Sequence, residues 1–463
     1  MFVVVAGDDQ MAARIAEALM VDHSVVVLGS EAALGTSTER LDVEVVFGAI
    51  TSPRVLDQAR VDRAEAFIAC TTNDEENIVA CLAAKRRGRA RTICLLNGAG
   101  FLEDEEEQDV SEALGIDVVV RPAQQLATEI VRIVTVPGAL DVEVFADGSI
   151  ALLRIAVDAG AELTSAPLKS LKLPKHALIV ALRRGEELVL PKGGTRIEAG
   201  DRLIVMGRWA PLQELVASAH VGQNRRTRRQ AAVIGAGSVG VEVARGLEAA
   251  KWRVKLIESD LSRCEAVADE LDSLVLHGDG ADLTLLEEER IGDMPVVVAV
   301  TNNDEKNLLI SLLAKQLGVE RIVTRADKLS NELMFEKVGI DVVRSSRGAA
   351  IRSVVRSLEK TEFEIRAVLE HGDASVIEVT LPGDFESRLL RDIRLPTAAV
   401  VGAVLRGRHS VVPGGNDALR ANDRLLIFCA HGDEEATREY FLTHSHSSQS
   451  ERVRVSGAQA RGD

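Results

Sequence analysis

Ala232-Val233-Ile234-Gly235-Ala236-Gly237-Ser238-Val239-Gly240 is a short apolar run leading into three glycines with the spacing G-x-G-x-x-G. The run reads as a buried strand, and the residues after Ser238 take up helical apolar spacing. Each glycine in such a strand-turn-helix unit has a physical job. The first permits the tight turn, the second lets backbone N–H groups approach a pyrophosphate, and the third lets helix and strand pack closely.

Working outward, Val254-Lys255-Leu256-Ile257 forms the next strand and ends at Glu258. A carboxylate about 20 residues beyond the glycines can accept hydrogen bonds from both hydroxyls of an adenosine ribose and repels a 2′-phosphate. This favours NAD(H), or another unphosphorylated adenosine ribose, over NADP(H). Gly278-Asp279 ends the third strand, Thr301-Asn302-Asn303-Asp304 ends the fourth, and Arg325 follows the fifth. Ligands bind at the carboxyl ends of strands in such sheets, so these segments face one crevice. The candidate binding residues are therefore Gly235, Ala236, Gly237, Ser238, Val239, Gly240, Glu258, Gly278, Asp279, Thr301, Asn302, Asn303 and Arg325, the last as a positive charge near phosphate.

The chain contains this plan twice. Phe2-Val3-Val4-Val5-Ala6-Gly7-Asp8-Asp9-Gln10-Met11-Ala12 precedes the intact loop at an offset of 228, Thr71 to Asn77 answers Thr301 to Asn307 at 230, and Gly115 to Val119 answers Gly339 to Val343 at 224. A second kind of block repeats at 222: Leu173-Pro174, Pro191 and Asp201-Arg202-Leu203 match Leu395-Pro396, Pro413 and Asp423-Arg424-Leu425. The order is A-B-A-B. The expected fold is α/β, with two doubly wound, Rossmann-like parallel-sheet domains (1–135 and 228–347), each followed by a small α+β domain (138–221 and 361–446), and a disordered tail at 447–463. In the first copy Gly237 becomes Asp9, Gly240 becomes Ala12, Glu258 becomes Gly29, Asp279 becomes Ala49 and Arg325 becomes Leu96. The first α/β domain is expected to keep the fold and to have lost dinucleotide binding.

Composition narrows the function further. A net charge of −16 argues against nucleic acid or an anionic membrane surface as a partner of the chain as a whole. The basic cluster Arg225-Arg226-Thr227-Arg228-Arg229 reads as a linker between the halves, and the acidic run Glu103 to Glu107 as a solvated helix face. No stretch approaches the apolar length of a membrane-spanning helix, and the start reads as a strand rather than a leader, so a cytoplasmic location is expected. The five cysteines lack a C-x-x-C pair, which speaks for buried thiols and against a zinc site. A dehydrogenase needs a general acid or base beside its nicotinamide, yet His176, His220, His371, His409 and His431 form no arrangement repeated between the halves. No Gly-x-Ser-x-Gly elbow or Walker-type lysine is present either. A nucleotide site without catalytic machinery points to a sensor, not an enzyme.

Taken together, the glycine loop, Glu258, Gly278-Asp279, Thr301 to Asp304 and the compact Leu-Pro and Asp-Arg-Leu blocks resemble the RCK family (TrkA-N plus TrkA-C domains) that regulates potassium transport. The resemblance covers residues 1 to about 446. It implies NAD(H) binding, with ATP or ADP as further ligands. It also implies a homo-oligomer, a ring of four tandem chains, peripheral on the inner face of the cell membrane. The implied partner is a membrane-embedded potassium-translocating subunit of the TrkH or TrkG kind. Regulation of another cation transporter or of an efflux channel is the alternative, and an NAD-dependent oxidoreductase a more distant one.

Overall fold

The structure, a computed structural model, describes residues 1–7, 10–21, 23–34, 38, 41–98, 111, 113–136, 138–146, 149–185, 187–221, 229–358, 363–369, 373–395, 398–407 and 409–443. Asp9, the acidic run 103–107, most of the basic cluster, the boundary residues Pro137 and 359–361, and the tail lie outside them. The chain divides into two compact units, residues 1–135 with 227–358 and residues 136–226 with 359–463. Each unit therefore collects one kind of block from both halves.

The first unit holds two parallel sheets. Strands β1 (Phe2–Ala6), β2 (Ser24–Gly29), β3 (Glu44–Phe47), β4 (Ala66–Ala69), β5 (Arg91–Leu95) and β6 (Val118–Val120) lie in the order β3-β2-β1-β4-β5-β6. The order reverses between β1 and β4, which creates a crevice at their carboxyl ends. β4 and residues 3–6 of β1 are wholly buried, as suits central strands of a parallel sheet covered on both faces. The second sheet repeats this arrangement, as given below.

In the second unit, β7 (Ala139–Phe145), β8 (Ile150–Ala156), β9 (Ala177–Arg184), β10 (Glu187–Val189) and β11 (Arg202–Gly207) make an antiparallel sheet in the order β10-β9-β11-β8-β7. The repeated Asp-Arg-Leu motif has a structural cause. Asp201, 2% exposed, takes a bidentate pair from Arg184 at 2.8 and 2.7 Å and the Glu198 N–H at 2.9 Å. Asp423 repeats this with Arg406 at 2.7 and 2.8 Å and the Arg420 N–H at 2.8 Å. A carboxylate locked in this way pins the turn that enters the strand beginning at Arg202 or Arg424.

Back in the first unit, β12 (Gln230–Ile234), β13 (Arg253–Glu258), β14 (Leu274–His277), β15 (Val296–Ala299), β16 (Arg321–Arg325) and β17 (Val342–Arg344) are ordered β14-β13-β12-β15-β16-β17. The two α/β domains exchange their last helices. Helix Ser346–Leu358 of the second domain sends Ala350, Val354 and Leu358 into the core around Val3, Val5 and Ile15 of the first. Helix Pro122–Thr135 of the first packs on helix Ser238–Ala249, where a β-carbon on Gly246 would stand 2.7 Å from Val131 Cγ2. Across this seam Arg352 holds Glu129 through two bonds of 3.1 and 2.5 Å.

The second unit ends with β18 (Phe363–Leu369), β19 (Ala374–Thr380), β20 (Arg388–Leu389), β21 (Ala399–Arg406), β22 (His409–Val411), β23 (Ala418–Leu419) and β24 (Arg424–Ala430). The main sheet runs β18-β19-β24-β21-β22, and β20 pairs with β23. Its face meets the β7–β11 sheet through Phe145, Leu152, Ile204 and Met206 on one side and Val376, Leu405, Leu426 and Phe428 on the other. Burial of such side chains contributes about 1.5–3 kcal/mol each. Arg183 and Asp373, 2.5 Å apart, tie the two sheets at the edge of that interface.

Candidate functional site

A cleft of about 350 Å³ opens at the carboxyl ends of β12, β13 and β15, a volume at the lower end of what small-molecule sites use. Among the residues predicted from sequence, Gly235, Gly237, Glu258, Gly278, Thr301, Asn302 and Asn303 line it. Ser259, Asp260, Arg263 and Lys306 line it too and were not singled out beforehand.

The glycine loop behaves as its spacing suggests. Gly235 has φ +105°, a conformation open to glycine, and a β-carbon there would lie 3.1 Å from the Thr301 backbone. A β-carbon on Gly240 would sit 1.8 Å from the Gly235 carbonyl oxygen, so this glycine is what lets the helix approach the strand. Gly237 is different. Its φ is −72°, and an added β-carbon would meet only Asn302 Oδ1 at 3.6 Å, an ordinary contact. No contact among the described residues demands glycine there; its missing side chain leaves open the space at the N-terminus of helix Ser238–Ala249, where N–H groups and the helix dipole favour an anion. Val239 and Gly240 are buried and serve packing.

Glu258 is fixed before any ligand arrives. Its Oε2 accepts the Ala236 N–H at 2.7 Å, and its Oε1 accepts the Ser259 N–H at 2.7 Å, the Ser259 hydroxyl at 3.1 Å and the Asp260 N–H at 3.0 Å. Burial pushes its pKa up, but these donors outweigh burial and hold the carboxyl below the usual glutamate value. The group is thus an ionised acceptor at neutral pH, with its orientation set by the loop it serves. Asp279 is held below its usual value by the Ala281 N–H and by Lys306, whose Nζ lies 2.9 Å from Oδ1. That ion pair links the turn after β14 to helix Asp304–Gln316 beside the cleft.

Two predicted roles change. Thr301 and Asn303 spend their side chains on architecture: the Thr301 hydroxyl donates to Asn307 Oδ1 at 2.7 Å, and Asn303 Oδ1 caps the helix through the Lys306 N–H at 2.7 Å. Buried Asn307 then donates to the carbonyls of Thr301 and Arg325, both at 3.0 Å, clamping the ends of β15 and β16. The first domain repeats the clamp through Thr71, Asn73 and Asn77, with the Leu95 carbonyl as the far acceptor at 2.9 Å. The block therefore recurs as scaffold in both halves, and Asn302 is the member that presents a side chain toward Gly237. Arg325 folds back on Asp327, with Nη2 2.5 Å from Oδ2, and does not line the cleft. The clamp also shows that its counterpart is Leu95, not Leu96.

At the matching place in the first domain the backbone closes the site. A β-carbon on Gly29, the counterpart of Glu258, would lie 2.0 Å from the Gly7 carbonyl oxygen and 2.8 Å from Leu34 Cδ1. Gly7 lacks the positive φ of Gly235, and Ala12 places a side chain where Gly240 has none. Lys306 and Asp279 become Glu76 and Ala49, so the cleft's ion pair is gone as well.

The TrkA-N domain family matches residues 3–122 and 231–346, and the TrkA-C domain family residues 152–219 and 376–442. The chain is 32% identical over 442 residues to the Trk system potassium uptake protein TrkA homolog of Archaeoglobus fulgidus, covering 95% of this chain and 100% of that protein. It is 29% identical over 440 residues to the Trk system potassium uptake protein TrkA of Halomonas elongata, covering 92% and 95%. The crystal structure of the GsuK RCK domain superposes with a TM-score of 0.60 at 20% identity, covering 96% of this chain and 95% of that one. The GsuK channel bound to NAD does so at 0.59 and 19%, covering 96% and 79%. At these identities the two structures establish a shared fold.

Proposed function

The chain belongs to the TrkA family of tandem TrkA-N and TrkA-C proteins, and from that membership we propose that it is a nucleotide-sensing regulatory subunit that gates potassium uptake through a membrane translocation subunit of the TrkH or TrkG kind. The second α/β domain reads NAD(H), with ATP or ADP as competitors for the same cleft, and the first is silent. The observation that carries this reading is Glu258, ionised and held at 2.7 Å by the Ala236 N–H of the glycine loop.

The residues supply recognition. The N-terminus of helix Ser238–Ala249, kept open by Gly237, would take the pyrophosphate. Glu258 Oε2, which accepts only the Ala236 N–H, keeps a lone pair for a ribose hydroxyl, and the charge disfavours a 2′-phosphate. Asn302 faces the phosphate position, and Ser259 and Arg263 flank the ribose. A ligand in this cleft would act by favouring one arrangement of the domains over another. A ring of four chains, peripheral at the inner face of the membrane, would alternate competent and silent α/β domains. The test is calorimetric titration with NADH, NAD, ATP and ADP. One site per chain, weakened by Glu258→Ala, supports the reading; two equal sites, or none, would refute it.

A further inference from the structure

The two α/β domains differ in charge at the end opposite their clefts. In the first, Arg63 precedes β4, and Lys85-Arg86-Arg87-Gly88-Arg89-Ala90-Arg91 leads into β5. The two turns are packed together: a β-carbon on Gly88 would stand 3.0 Å from the Asp62 carbonyl oxygen and 3.1 Å from that of Val61. The arginines therefore share one end of the sheet, and β4 and β5 run in register with Ala66 beside Arg91. Lys85 is committed to Asp117 at 2.6 Å and Arg87 to Asp57 at 2.9 Å. Arg86 and Arg89 are exposed and make no ion pair among the described residues, and Arg63, its side chain 78% exposed, has only a loose contact of 3.8 Å with Asp62.

The second domain builds the same two turns from other residues. At an offset of 230, Arg63, Arg86, Arg87 and Arg89 become Asp293, Gln316, Leu317 and Val319, and Ala90 becomes Glu320. Arg91 is kept as Arg321, but the fold does not need the other arginines, since the same backbone is made without them. Their surplus is local to a chain whose net charge is −16. The whole-chain charge, which argued against lipid, averages over this end.

We propose that the end bearing Arg63, Arg86 and Arg89 docks on the anionic phospholipid headgroups of the membrane. Guanidinium groups at a surface pair with phosphate oxygens bidentately, and each basic residue near an anionic leaflet adds to the electrostatic attraction. The remainder of the acidic chain is repelled, so the patch orients the chain as well as attaching it. It marks the half without a competent nucleotide site, which separates attachment from sensing.

The experiment is flotation of the full chain with phosphatidylcholine vesicles and with vesicles also containing phosphatidylglycerol, at low and high salt, beside an Arg86→Glu/Arg89→Glu variant. Retention on the anionic vesicles alone, lost at high salt and reduced at least about fivefold in the variant, is the expected result. Both substitutions lie at exposed positions, so the variant should keep its melting temperature and its nucleotide titration, which separates this inference from the proposed sensing role. No retention on anionic vesicles, or equal retention of the variant, overturns the inference. Lipid-free capture by a detergent-solubilised membrane subunit that the variant loses would assign the patch to a protein surface and overturn it too.

Discussion

The Gly7 carbonyl oxygen occupies the space that a side chain at Gly29 would need, standing 2.0 Å from its ideal β-carbon position. In the second domain the corresponding carbonyl, on Gly235, faces Gly240 instead, and the Glu258 side chain reaches the glycine loop, where its carboxylate accepts the Ala236 N–H. The first domain thus has no room for an acid at this position because of its backbone, not merely because the side chain is missing. Gly29→Glu should lower the melting temperature and create no second site; a stoichiometry rising to two nucleotides per chain would contradict this.

Two glycines of the intact loop should separate stability from binding. Gly237→Ala adds a methyl at ordinary contact distance in an unstrained backbone, so the fold should change by less than about 1 kcal/mol while nucleotide affinity falls sharply. Gly240→Ala forces a methyl against the Gly235 carbonyl and should cost about 2 kcal/mol or more. Denaturant melts and titrations of both variants check the pair, and equal effects of the two on stability would be contrary to the geometry.

Asn77 and Asn307 are wholly buried and bridge adjacent strand ends in the two domains. Replacing either with alanine strands backbone carbonyls and N–H groups, at a cost of about 2 kcal/mol. Asn307→Ala should weaken nucleotide binding as well, since Thr301 loses its anchor beside the cleft. Asn77→Ala should leave binding intact, and a matching loss of affinity there would mean that the first domain is not silent.

Acid should destabilise the chain in a definite window. Asp201 is held below the usual aspartate value because the Arg184 fork and the Glu198 N–H outweigh burial, and Glu258 is depressed by its four donors in the same way. A carboxyl with a depressed folded pKa contributes stability above its unfolded value and loses it as pH falls through the folded one. Melting temperature should be flat above about pH 5 and decline below about pH 4. Asp201→Asn should melt lower at neutral pH and show a shallower acid decline; an acid slope equal to wild type would remove the Arg184–Asp201 clamp from the account.

Much of this was legible in the sequence because it depends on spacing. The three glycines, the acid ending β13 and the repeated order of apolar runs each follow from one local rule, and both parallel sheets form with the expected strands. What sequence did not show depends on how segments meet. Lys306 reaches the cleft because the turn after β14 comes back to helix Asp304–Gln316, and Arg263 because its helix starts beside Glu258. Thr301 and Asn303 look like ligand groups in a motif, yet the first half repeats the motif with the same clamp through Asn77, so the clamp accounts for it. The pairing of Arg325 with Leu96 slipped by one because strand ends carry no motif to anchor an alignment; the ladder of hydrogen bonds supplies Leu95 instead. The exchange of the last helices between the α/β domains leaves no periodic trace at all.

One competent nucleotide site per chain, built on Glu258, is the expectation on which the proposed sensing role stands. Isothermal titration of the full chain with NADH, beside Glu258→Ala, tests it most directly. A stoichiometry of one is expected, with a loss of about tenfold or more in the variant, the worth of a charge-assisted bond to a ribose hydroxyl. Binding that is indifferent to Glu258, or two sites per chain, would contradict it.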